Sequence, residues 1–198
     1  MRLSKPILAI AISSLAFGVH ASTSTVISPI EATINALYPV YHYELLGDPE
    51  LDYVNTMIKH HEATVVLSER FLASLSDPFL VELATSIIQT RTEYQSALTA
   101  WLESQDKNVN PHISEAKSSV GMLVTTKRII DYQRTLKGTG NAERDYVTFL
   151  ISHLETELAQ ANHVTEFLSN KTIMNHHEKM KSVQPLLDKL YNYKVNNY

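Results

Sequence analysis

Cysteine is missing from all 198 residues. Its absence excludes disulfides, thiolate ligands and thiol nucleophiles, leaving histidine, methionine and carboxylates as the side chains able to hold a metal. Glycine is scarce, five in all, and no stretch alternates apolar and polar residues as a half-buried strand does. Excess positive charge is missing too: 17 Lys and Arg stand against 21 Asp and Glu, a formal charge of -4. That balance gives no reason to expect nucleic acid as a partner, and little attraction to anionic membranes. No run approaches the roughly eighteen apolar residues that a membrane span needs.

What is present starts with an address. Arg2 and Lys5 form a positive n-region, Pro6 to Phe17 is mostly apolar, and Val19-His20-Ala21 supplies small residues for cleavage. Residues 1–21 therefore read as a secretory signal, and the expected location is the periplasm. Residues 22–28 are expected to be a disordered leader, and residues 29–198 a single helical domain.

Within that domain the spacing predicts six helices. The first runs from Pro29 to Leu46, and Gly47 stops it. Asp48-Pro49, Asp77-Pro78 and Asn110-Pro111 each place a capping side chain before a proline at the first helical position, so each opens a helix. Asn141 caps a fifth helix to about Leu168, and a sixth covers Asn170 to Tyr193 with a kink at Pro185. The helix after Asp48 has an apolar stripe of Leu51, Val54, Ile58, His61, Val65, Ser68 and Leu72.

The chain also repeats itself. A shift of 93 residues lays Gly47-Asp48-Pro49-Glu50-Leu51-Asp52-Tyr53-Val54 on Gly140-Asn141-Ala142-Glu143-Arg144-Asp145-Tyr146-Val147. Ile58, His60, Glu62, Leu75 and Ser76 then fall on Ile151, His153, Glu155, Leu168 and Ser169. The expected fold is all-α, two repeated three-helix halves over about 28–105 and 121–198.

Two clusters carry candidate chemistry. Met57, His60 and His61 share a helix face, since positions three and four apart are neighbours. A thioether and two imidazoles suit copper before zinc, and magnesium or calcium poorly. The repeat puts leucines, Leu150 and Leu154, where Met57 and His61 stand, so both positions are expected to point inward. A buried His61 needs a partner: a carbonyl, a tyrosine hydroxyl or a metal. The second cluster is Met174, His176, His177 and Met180, again at spacings of three and four.

Met57-Ile58-Lys59-His60-His61-Glu62-Ala63, preceded by Asp52-Tyr53-Val54, resembles the Met-Ile-Pro-His-His-Gln/Glu signature of the exported CopM-like proteins. Asp77-Pro78, Ala84, Ile87-Ile88 and Trp101-Leu102 fall on further elements of that pattern. The chain departs from it at Leu67 and Leu98, where the family has methionine, and at Arg91 and Tyr94, where it has glutamine and glutamate. The resemblance implies a ferritin-like helical bundle and periplasmic copper binding.

The expectation is thus a copper protein for sequestration or delivery, its ligands drawn from Met57, His60, His61, His153, Met174, His176, His177 and Met180. The alternative is a periplasmic interaction or structural protein without a metal, with a protein partner or as a homodimer. Glu-x-x-His, zinc-protease, Gly-x-Ser-x-Gly and phosphate-loop patterns are all missing, so no enzyme is expected.

Overall fold

In a computed structural model, residues 46–105 and 116–198 are described. The signal segment, the leader, the helix expected from Pro29 (Leu46 apart) and the Asn110-Pro111 cap lie outside these residues. Among the described residues there are six helices and no strand: α1 Pro49–Leu72, α2 Pro78–Glu103, α3 Ala116–Gln133, α4 Ala142–Val164, α5 Lys171–Lys181 and α6 Gln184–Asn197. None is long and apolar enough to cross a membrane.

The helix starts follow the local chemistry. Asp48 accepts from the amides of Glu50 and Leu51, and Asp77 from those of Phe79 and Leu80. Each offsets N–H groups that have no partner inside the helix, while proline at the next position has no N–H to lose. Asn141 and Asn170 cap α4 and α5 through the amides of Arg144 and Thr172. The sixth expected helix is in fact two, broken at Ser182–Val183. Pro185 lies in the first turn of α6. Its ring cannot donate back to residue 181, so it opens a new helix where a bend within one was expected.

α1 and α4 form the centre. α2 packs on α1, α3 packs on α4 and also touches α1, and α5 and α6 close over α4. Because α1 has neighbours on several sides, its buried arc is wider than the expected stripe. Met57, Leu67 and Phe71 are fully buried, whereas Ile58, Val65 and Leu72 are half-buried. The apolar core falls into two clusters. One gathers Ala63, Leu67 and Phe71 of α1, Ile87 of α2, Leu150 and Leu154 of α4, and Leu187 and Leu190 of α6. The other gathers Tyr53, Val54 and Met57 of α1, Leu98 of α2, Ala161 and Val164 of α4, and Ile173 and Met180 of α5.

Equivalent residues of the 93-residue shift make equivalent bonds. Glu50, opening α1, accepts from the amides of Ser169 and Asn170 at 3.0 and 2.8 Å, just before α5. Glu143, opening α4, accepts from the amides of Ser76 and Asp77 at 3.0 and 2.7 Å, just before α2. Asp52 turns back to the amides of Leu46 and Gly47, and Asp145 to the amide and hydroxyl of Thr139. Between them, Gly47 and Gly140 have φ of 82° and 83°, a region that costs other residues strain.

Each glutamate clasp is only partly buried, so its loss is expected to be modest. Glu50→Ala and Glu143→Ala should each lower unfolding free energy by about 1 kcal/mol, near the value of an ordinary net hydrogen bond. The clasps lie at opposite ends of α1, about 36 Å apart for 24 residues. Chemical denaturation should therefore find the double variant additive.

Candidate functional site

Between the two apolar clusters lies a layer of polar side chains. His60 and His61 follow Met57 on α1, and Arg91 follows Ile87 on α2. His153 and Glu157 lie on α4, and His176 comes from α5. All are buried, with no exposure at His60, His61, His153 or Glu157. A layer this dry must satisfy its polar atoms internally, because each one left unpaired costs about 1–3 kcal/mol.

One chain of contacts runs through it. The Tyr53 hydroxyl lies 3.1 Å from His176 Nδ1. His176 Nε2 lies 2.8 Å from His61 Nε2. His61 Nδ1 lies 3.1 Å from Glu157 Oε1, and the Arg91 guanidinium donates to Glu157 Oε2 at 2.7 Å. One proton serves the two Nε2 atoms of His61 and His176, so one ring donates and the other accepts. The approach of His61 Nδ1 to Glu157 Oε1 is close but lacks hydrogen-bond alignment. Burial keeps both imidazoles neutral.

The rest of the layer packs around this chain. The His60 and His153 rings, equivalent under the 93-residue shift, stand 5.2 Å apart. The Tyr94 ring covers the chain edge-on, 5.8 Å from His61 and 5.6 Å from His176. Arg91 and Lys179 lie over that ring at 5.5 and 4.7 Å. His177 points elsewhere: its Nε2 donates to the Ala161 carbonyl at 3.0 Å, with Thr165 Oγ1 at 3.1 Å.

Burial sets the protonation. Desolvation lowers His60, His153 and His176 from 6.5 to about 3. Desolvation also takes His61 well below its ordinary value, with the Arg91 charge acting in the same direction. Burial pushes the Tyr53 hydroxyl well above 10.0, with the Glu157 charge adding to it.

These contacts correct the metal reading. Among the described residues, no group of three or more His, Cys, Asp or Glu side chains is arranged to hold a metal ion. A metal would need bare nitrogens from His61 and His176 together, yet one of these donates its proton to the other. The remaining candidate ligands do not converge either. Met57 and Met180 are fully buried in the apolar cluster beside the layer, Met174 is exposed, and His177 is spent on a carbonyl. His60 and His153 do meet, but as a pair of rings. The arrangement of these eight residues therefore contradicts the expected copper cofactor, metal-ion partner and role in copper sequestration or delivery.

Sequence spacing brought out the five histidines and missed what holds them. Glu157, Arg91 and Tyr53 come from positions 66 to 123 residues away from their partners, and Tyr94 comes from a different helix from His61 and His176. The available signal was a charged residue on an apolar stripe: Glu157 lies between Leu154 and Ala161, and Arg91 between Ile87 and Leu98.

The architecture and its core define an all-helical domain built around a buried tyrosine–histidine–glutamate–arginine layer. Residues 50–185 match the family described as "Domain of unknown function (DUF305)", and the chain belongs to that family. No curated protein and no solved structure matches it. The resemblance to the exported CopM-like proteins thus reaches the family and stops short of the copper site.

Two outcomes follow from this layer. Arg91→Leu strands a buried carboxylate and should cost about 3–5 kcal/mol in chemical denaturation, whereas Arg91→Leu with Glu157→Leu should recover most of that loss. Acid should also destabilise the protein. Unfolded histidines take up protons near 6.5 and the buried ones near 3, so stability present above pH 6.5 is lost as the pH falls. The loss is on the order of 1 kcal/mol per histidine per pH unit in that window. Thermal melts between pH 7 and pH 4 should show a steep fall, made shallower in His60→Leu/His153→Leu.

Proposed function

We propose that the protein is an exported, periplasmic helical protein that acts by surface contact, as an interaction or structural protein and not as an enzyme. The observation that supports this most is the chain of contacts inside the buried polar layer. Both nitrogens of His61 and of His176 face another side chain within 3.1 Å, and the chain ends on the Glu157–Arg91 ion pair. Such a layer specifies how four helices meet. What other molecules can reach is the outer faces of the helices, where Val120, Val124, Tyr132 and Met174 are about half exposed. The signal-like residues 1–21 support the periplasmic address. The reciprocal clasps of Glu50 and Glu143 support a ferritin-like bundle of two related halves.

A photo-crosslinking side chain at Val124, Gln89 or Met174 of the protein in living cells tests this. Discrete adducts are expected from at least one position, and an unchanged pattern in the Arg91→Leu/Glu157→Leu background. Adducts from none of the three would sink the reading.

A further inference from the structure

The overall charge of -4 conceals an uneven distribution. On α2, Glu82, Glu93 and Glu103 are exposed, together with Ser86, Gln89, Ser96, Ala97 and Ala100. The sole cation of that helix, Arg91, is turned inward to Glu157. The outer face of α2 is therefore acidic, with small residues along it. The outer face of α3 is the reverse. Val120, Val124 and Tyr132 are 50, 50 and 53% exposed, and Lys127, Arg128, Arg134 and Lys137 are exposed along and just beyond the same helix. Asp131 offsets one of these charges by pairing with Lys127 at 2.8 Å.

The two helices have different main neighbours: α2 rests on α1, and α3 rests on α4 with a lesser contact to α1. Between two chains the acidic face can meet the basic one.

We infer that the basic, apolar face of α3 docks on the acidic face of α2 in a second copy of this chain, head to tail. An antiparallel register matches the two surfaces. Setting Val124 against Ala97 lets the small residue admit the valine, and sets Arg128 against Glu93 and Tyr132 against Gln89. Lys137 then falls within one turn of Glu82. Helix positions repeat every 3.6 residues, so these pairs, four residues apart, share one face on each partner. The contact joins unlike surfaces, so it propagates into rings or open chains of copies. Exposed charges dominate it, so it is salt-sensitive and steered at long range. This inference rests on the surface-contact reading above and names its partner.

The test is sedimentation of the purified exported protein over a concentration series, at low ionic strength and at about 0.5 M salt, where charges are screened within a few ångströms. The weight-average mass should rise with concentration at low salt and return to that of one chain at high salt. Arg128→Glu and Glu93→Arg, both at exposed positions, should each weaken association at least tenfold. An equal mixture of the two variants should associate again, since each carries the charge that the other's altered face requires. A mass of one chain at every low-salt concentration overturns the proposal, as does association that survives both reversals. Loss with Arg128→Glu but not with Glu93→Arg also overturns it, because the acidic face would then play no part. In that last case, or with a one-chain mass, a Val124 adduct to a different protein in cells would leave the surface-contact reading standing while this inference fails.

Discussion

A carboxylate with no exposed surface lies at the meeting point of four helices, and the rest of the interior is arranged to keep it there. Glu157 on α4 is held by Arg91 from α2 and faces His61 from α1, and His61 passes the contact on to His176 of α5. Taking two charges out of water costs several kcal/mol per ion before their attraction is counted. The apolar clusters on either side of the layer supply the favourable burial. The layer itself supplies selectivity. Helices that met in another register would leave the carboxylate or the guanidinium without its partner.

That arrangement also accounts for buried histidines that, among the described residues, form no group able to hold a metal. An imidazole is the one side chain that can accept at one nitrogen and donate at the other while staying uncharged. Two in series can carry a polar contact across the interior from a hydroxyl to a carboxylate without adding charge. Burial keeps both neutral. Tyr94, with Arg91 and Lys179 over its ring, shields the outer side.

The sequence spoke clearly wherever the physics was local. Asp48-Pro49, Asp77-Pro78, Asn141 and Asn170 start helices in the structure because capping and proline geometry act within four residues. The inward orientation of Met57 and His61 was legible from the leucines at the equivalent positions 150 and 154. Pro185 misled because a proline bends one helix or begins another depending on what the following turn packs against, and here Leu187 and Leu190 join the main core. The site was half legible. Spacing identifies which histidines share a face, but Glu157 and Arg91 are partners only through the packing of α2 on α1 and α4. The opposite charges of α2 and α3 were hidden for a similar reason, since a total over the chain averages the two faces away.

The Arg91–Glu157 pair has a bearing on how such sequences can vary. The pattern that this chain resembles has glutamine where Arg91 stands. An amide can donate to a carboxylate but cannot neutralise it, so a buried glutamate at position 157 is tolerable only with the guanidinium opposite. Positions 91 and 157 should then change together down a lineage, as a charged pair or as a neutral one. A chain bearing glutamine at the first would be expected to have replaced glutamate at the second. The histidines, neutral in either setting, are free of that linkage.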